Sequence, residues 1–598
     1  MSDPATNAPS ASSRSFARRL RRTPLRDIVR GRVTGRLDLD AVFEETALPE
    51  PVEALVRRVA RRTRLDRLER VDVARDLAEH FRDGLADGGE TETLIRAFGD
   101  ERAAARLIRR SMLRKRSLVR RVNRRFLQAI LITFAAMIGI YLLAAARYWS
   151  QRPIVSTDYI AQLNEPIKAL SPAERSWPRI RAAMTELRGL VEPDPSAPND
   201  RPEVLARADS INAFVDAAQS AAVESWRGPD PHAEIEGLDE ATPSPEAIDA
   251  FFAASDTALE TLRAAAALPG LGRQLGAGPP SDPEDVAFFG LESRPPADPA
   301  GTLAGSVIAI ELPEYMTLRS AARVLGADAR RAVVAGDGSR AVADIDAIFG
   351  IARQTREPSI LIGQLVAIAI EQLGFNVVLD ALAAHPDAFT DDDLSTLADV
   401  FANLDDDRLA MDVSSERLLF LDLAQRFYTD DGSGNGVLTL RAAEGMGQMG
   451  AGTGIPEAPG VVGFLVAPGL ANLALDRASA VRVWNDFFDV CERLASVEPW
   501  TLDRGELEIV DGRPMFEIMD GWRNRLRYFP LNLLIPAIHN SILAGLAVRS
   551  ERDLVATVIA LERARRRTGD LPSSLDAIPA DLLADPVRDP FDGNPLRY

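Results

Sequence analysis

The run Phe126–Ala146, FLQAILITFAAMIGIYLLAAA, constrains this chain more than any other stretch. It holds twenty-one residues without a charge, and Gln128 and Thr133 are its only clearly polar members. A helix rises about 1.5 Å per residue, so this length covers a hydrocarbon core of roughly 30 Å. Tyr141, Tyr148 and Trp149 suit the far interface, where amphipathic rings prefer to lie. So long an uncharged run is rare in water-soluble folds. The expectation is one transmembrane helix, with every other part of the chain on one side of it or the other.

Charge assigns the sides. Residues 1–125 carry 30 Lys and Arg against 19 Asp and Glu, a net of +11, whereas the rest of the chain carries 40 against 69, a net of −29. Arg109, Arg110, Arg114, Lys115, Arg116, Arg120, Arg121, Arg124 and Arg125 closely precede the apolar run, and only Arg147 and Arg152 follow it nearby. Residues 114–149 thus join a basic juxtamembrane stretch to the membrane helix. The positive-inside bias places the N-terminus in the cytoplasm and the acidic body outside. The opening MSDPATNAPSASS is polar and has no apolar h-region, so the internal run is expected to be both signal and anchor. A body at −29 repels phosphate, which argues against nucleic acid as a partner. Its one cysteine, Cys491, excludes intramolecular disulfides and CxxC redox chemistry.

Residues 1–36 form a basic arm whose composition predicts disorder near anionic lipid. Residues 37–113 predict a small helical module, with helices at 52–61, 64–85, 92–98 and one capped by Asp100. Gly88-Gly89 is the expected stop of the second. The run Asp76–Ile108, with Leu77, His80, Gly84, Gly88, Gly89, Glu92, Leu94, Phe98, Gly99, Asp100 and Ala103, resembles the helical prefix module of bacterial permeases and membrane signalling proteins. That resemblance implies a cytoplasmic juxtamembrane interaction module rather than a catalyst.

Beyond the anchor the pattern is helix after helix, predicting a mainly α body. Candidate helices are 157–170, 172–191, 202–226, 245–268, 316–335, 339–354, 359–385, 392–403, 530–548 and 552–567. A Pro- and Gly-rich loop at 269–301 is expected to divide an anchor-proximal part (150–300) from the main domain (301–550). Ser359–Ala384 rivals the anchor in hydropathy. Its Gln364, Glu371, Gln372, Asn376 and Asp380 would each penalise a lipid setting, so it reads as a buried core helix. In Pro530–Val548, Asn532, Pro536, His539 and Asn540 favour a buried helix, with contact to the membrane as the alternative.

Motifs for chemistry are sparse. Asp431, Ser433, Asn435 and Gly436 match the first half of a calcium loop, with oxygens at positions one, three and five and glycine at six. Position twelve is Ala442 and Glu444 falls two residues late, so either a partial calcium site or a polar glycine loop fits. Gly445, Gly447 and Gly450 spell GxGxxG, but AGTGIPEAPG follows where a dinucleotide site needs a helix. The four histidines, His80, His232, His385 and His539, fall on separate elements. Asp391-Asp392-Asp393 and Asp405-Asp406-Asp407 read as helix caps and solvated faces.

The end of the chain, TGDLPSSLDAIPADLLADPVRDPFDGNPLRY, resembles the closing segment of type II secretion pseudopilins through Gly569, Pro572, Leu575, Asp589, Pro590, Phe591, Gly593, Pro595 and Tyr598. The resemblance implies a helix, a turn, a short helix and a β-hairpin-like close over residues 551–598. It stops there, because the apolar run lies at residue 126 rather than behind a prepilin cleavage site. The expected function is membrane-anchored binding or scaffolding in the cell envelope, with protein partners on either side of the bilayer. The alternatives are an enzyme with an acidic site assembled from distant residues, and a component of a secretion or pilus-like assembly.

Overall fold

The computed structural model describes residues 39–115, 118–193, 202–227, 243–277, 280, 282–291, 305–404, 406–439, 467–583 and 587–598. Its contacts divide the chain after Leu143 into two compact units. Both are built almost wholly of helix.

The first unit holds α1 (Leu39–Thr46), α2 (Glu50–Arg62), α3 (Arg67–Ala86), α4 (Thr91–Phe98) and α5 (Glu101–Lys115). Phe43, Val52, Leu55, Val56, Ala74 and Phe81 recur at helical spacing and form its core, with Leu94 and Phe98 closing over them. The Gly88-Gly89 stop occurs as the sequence predicts: Gly88 takes φ +86°, and Gly89 N–H donates to the Gly84 carbonyl. A side chain at Gly84 would press on Leu94, which is why α3 and α4 approach so closely. Glu101 gathers Arg58 and Arg62 and ties α5 to α2.

α6 (Leu118–Ser150) is a single helix of 33 residues. Two helices of the described chain are long and apolar enough to cross a membrane: Gln128–Ser150, none of whose apolar window is buried, and Leu361–Ala384, of which 56 % is buried.

The second unit opens, after two single-turn helices (Tyr159–Leu163, Glu165–Ala169), with α7 (Trp177–Gly189), α8 (Glu203–Arg227), α9 (Pro245–Ala254) and α10 (Asp256–Ala266). The expected helix 245–268 is divided at Ser255, which ends α9 and precedes α10. α11 (Pro283–Phe289) lies inside the stretch read as a dividing loop. Asp282 caps it by accepting from Glu284 N–H, and Pro283 opens it. Its Phe289 stacks on Trp177, with ring centroids 5.7 Å apart. The core accordingly runs across this stretch: Trp177, Leu259 and Phe288 share one cluster with Leu318, Ile348 and Ile370.

α12 (Glu314–Val334), α13 (Gly338–Thr355) and α14 (Leu361–Ala384) pack successively. Gly350 on α13 lies against the Ala266 carbonyl, where a Cβ would not fit. α15 (Asp391–Ala402) is capped by Thr390, whose hydroxyl accepts from Asp393 N–H while Asp393 accepts from Thr390 N–H in return. The expected cap, Asp391, is instead the first helical residue. α16 (Ser414–Phe427), α17 (Arg477–Ala495) and α20 (Leu531–Thr568) complete the larger cluster, where Phe420 stacks on Trp484 at 4.4 Å. Between α17 and α20 lies a small tip. A hairpin not expected from the sequence, β1 (Ile509–Val510) and β2 (Arg513–Pro514), turns at Asp511-Gly512 and leads into α18 (Met515–Met519) and α19 (Gly521–Arg527).

α20 runs unbroken through both helices expected at 530–548 and 552–567. Leu531, Ile535, Ile538, Ile542 and Leu546 bury its first half in the core. Gly569 caps α20 in the left-handed region, and Arg588 pairs with Pro595 across a turn containing Gly593.

Candidate functional site

The polar loop flagged as a partial calcium site lies where α6 joins the body. Asp430 accepts from Gly432 N–H at 2.8 Å and Gly434 N–H at 3.2 Å, and its second oxygen accepts from Arg477 at 2.7 Å. Asp431 Oδ1 accepts from Ser433 N–H and hydroxyl, while Oδ2 faces Arg147 at 3.7 Å. Asn435 accepts from Gly436 N–H and Ala478 N–H. Asp431, Ser433 and Asn435 are thus brought together, with their oxygens turned largely onto the loop's own donors. These bonds hold both Asp430 and Asp431 below the usual carboxylate range, backbone N–H groups dominating at Asp430 and the Ser433 hydroxyl at Asp431. No group of three acidic, histidine or cysteine side chains that could hold a metal occurs among the described residues.

The end of α6 docks on this loop. Tyr148 is buried against Val437, Ala467 and Ala471. Thr429 donates its hydroxyl to Gln151, and Arg152 pairs with Asp430 as an isolated bridge. Gln425 then clamps the departing chain: its carbonyl accepts from Ser156 and Thr157 N–H, and its amide donates to the Thr157 carbonyl at 2.8 Å. Gly436 is obligatory here, since a Cβ would collide with the Thr429 carbonyl. The sequence marks the loop through its Asp, Gly and Asn residues. Gln425 and Arg477 carry no such signal, because their partners lie 268 and 47 residues away.

A second feature is an open trough of about 870 Å³ between α7, α8 and α11. Pro178, Ala182, Val204, Ala287 and Phe288 give it apolar walls, and Arg181, Arg188 and Arg207 stand among them. Arg181 is taken up by Asp282, Glu284 and Asp285, and Arg207 by Glu203 and the Val191 carbonyl. Arg188 donates to the Phe288 carbonyl at 2.7 Å and lies over the Phe288 ring, and burial lowers its guanidinium to about 10. A polar cavity of about 550 Å³ between α10, α13 and α15 is lined by Arg263, Arg353, Arg408 and Asp346.

Buried carboxylates form the third group, and the sequence did not single them out as a set. Asp344, with 0 % of its surface exposed, accepts from Arg263 at 2.7 Å, and Asp328 is shared by Arg263 and Arg340. Burial, with Asp328 nearby, pushes the Asp344 carboxyl well up. Glu314 pairs with Arg273 and Glu371 with Arg356, and burial raises both carboxyls against the pull of their arginines. These pairs join α10 to α12 and α13, and α13's end to α14. They do not face the apolar trough. Of the histidines, His80 is exposed on α3, while His385 and His539 are half-buried at separate places. The GxGxxG glycines, Gly445, Gly447 and Gly450, and also His232 and Asp405, lie outside the described residues.

Comparison with protein-family models, curated proteins and solved structures finds no match to this chain.

Proposed function

We propose that the chain is a single-pass membrane protein of the bacterial inner membrane, with the basic arm and helical module in the cytoplasm and the acidic body outside. The body serves as a binding or scaffolding surface in the envelope. The observation that carries this reading is the contrast within α6. No residue of its apolar window is buried, while Tyr148 near its end is buried against the body. A helix of that composition is stable only in lipid or against a partner, and the joint would hold the body at a fixed place beside the bilayer. The open apolar trough supports binding rather than turnover, since its arginines are engaged by carboxylates and carbonyls of the same fold.

The test is a reporter fused after Tyr598, combined with crosslinking and affinity capture of the full chain from membranes. Reporter activity outside the cytoplasm and a specific captured protein are expected. Activity confined to the cytoplasm would refute the orientation. No protein above background, together with turnover of a substrate, would refute the binding role. A second reading, membership of a secretion assembly, has one structural support: Phe591 at the tail turn is 83 % exposed. Removing residues 589–598 should then abolish capture of secretion components and leave the body folded.

A further inference from the structure

The tip formed by β1, β2, α18 and α19 presents large apolar side chains to solvent: Phe516 is 71 % exposed and Trp522 60 %, with Met519 and Ile509 beside them in sequence. Ile518 and Leu526 point the other way, into the body, so the two short helices are held with one apolar face outward. Clusters of this kind mark a binding surface.

Its position says what that surface meets. Leu475 N–H donates to the Arg527 carbonyl at 2.8 Å, and Tyr428 donates its hydroxyl to the Phe529 carbonyl at 3.0 Å. The residues just before Leu475, Ala467 and Ala471, are those on which Tyr148 of α6 is buried. Arg477 N–H donates to Gly436 and its side chain to Asp430, the residue paired with Arg152. The tip therefore belongs to the end of the body at which α6 arrives. Leu473, Trp149, Ile154 and Val155 are further exposed apolar residues at that end.

The geometry points to a membrane foot: the α18–α19 tip lies in the interface of the bilayer that holds α6, with Phe516, Met519 and Trp522 at headgroup depth. This rests on the anchor reading above. Tryptophan and phenylalanine on a short amphipathic element favour that depth. Glu517, Asp520, Arg523 and Arg525 flank them and are exposed, which keeps the tip at the interface rather than in the hydrocarbon. With α6 and the tip both engaged, the body has two points of attachment and a defined face toward the lipid.

The experiment uses full-length protein with one added cysteine, Phe134→Cys, Phe516→Cys, Trp522→Cys or Val334→Cys, each carrying a fluorophore. Native Cys491 is buried and its thiol is pushed up to about 12, so it stays unlabelled. Val334 is an exposed control near the far end of α20: it precedes Gly338, which abuts Phe389, whose carbonyl accepts from Arg566. Leu531 and Arg566 lie about 50 Å apart along that helix. The proteins are reconstituted in phosphatidylethanolamine–phosphatidylglycerol vesicles with or without brominated phosphatidylcholine. Brominated lipid is expected to quench the labels at 134, 516 and 522 and to leave 334 unchanged. Quenching at 134 with 516 and 522 as bright as 334 would overturn the foot and leave the anchor standing. A bright label at 134 as well would overturn both.

Discussion

α6 and α14 pass the same test of length and composition, yet the described fold treats them oppositely. No residue of the apolar window of α6 is buried, and that of α14 is more than half buried. The difference lies in the polar residues. Between Phe126 and Ala146 no side chain is charged. α14 carries Gln364, Glu371, Gln372 and Asp380, and each finds a partner in the fold: Asp412, Arg356, Glu551 and Arg330. Hydropathy averages the two helices together, whereas the cost of an unpartnered polar group separates them.

The largest effect should come from breaking a pair on α14. Arg356→Ala strands Glu371, which is 2 % exposed, and should cost about 3–5 kcal/mol in a urea unfolding curve of the detergent-solubilised protein. The double change Arg356→Met with Glu371→Leu should recover most of that loss, since well-packed apolar groups replace a buried pair at little cost. If the single change costs nothing, α14 is not the core helix described above. The converse test is Met137→Arg on α6. In lipid it should cost about 2.5–3.5 kcal/mol of insertion and lower the membrane-integrated fraction, leaving the unfolding curve of the body unchanged. A helix lying in water would tolerate that arginine on its exposed face within about 0.5 kcal/mol.

Much of this contrast is legible in the chain. The uncharged run, the spacing of Glu371 and Asp380, the Gly88-Gly89 stop and the Gly569 cap all report locally on what they do. The partners are not legible. Nothing near Glu371 announces Arg356, and nothing near Asp406 announces Arg549 and Arg552, whose ion pairs to it lie inside α20. Those same charges make residues 549–552 look like a gap between two helices, although no glycine or proline stands there. α11 is hidden differently: a seven-residue helix has too few turns to show a period among the surrounding prolines and glycines. At the candidate site, the Asp430–Gly436 turn is written in its residues, while its role as a seat for α6 depends on Tyr148 and Gln425, which lie far apart in sequence.

That seat supplies the next test. Gln425→Ala removes three hydrogen bonds to residues 156 and 157 and should cost about 1–3 kcal/mol locally. Faster amide exchange at Ser156 and Thr157, with α14 unaffected, is the expected signature; coupled loss across both helices would mean that the two are one cooperative unit.

For α14 the matching residue is Glu416 of α16, which accepts from Leu361 N–H at the start of α14. Burial raises its carboxyl, so the folded protein holds that proton more tightly than the unfolded chain does. Stability from this group is therefore lost as pH rises above its ordinary value of 4.5, with a limiting slope of about 1.4 kcal/mol per pH unit. Glu416→Gln should flatten that part of the curve of urea midpoint against pH. An unchanged curve would show that Glu416 binds its proton equally well in the folded and the unfolded chain.

The smallest effect belongs to the end of α6. Asp431 meets Arg147 across 3.7 Å with both side chains partly in water, so solvent screens the pairing and little stability depends on it. Its other oxygen is engaged by Ser433, so Asp431→Ala should lower the melting temperature of the body only slightly. Calcium sharpens the measurement. Bound by Asp431, Ser433 and Asn435, the ion would need Asp431 Oδ1 and Asn435 Oδ1 to release the N–H groups they now accept from. The expected outcome is a melting temperature that calcium leaves unchanged in both proteins. A rise with calcium in the native chain, absent in Asp431→Ala, would show that the loop reopens to take the ion and that the seat of α6 is a metal-dependent joint.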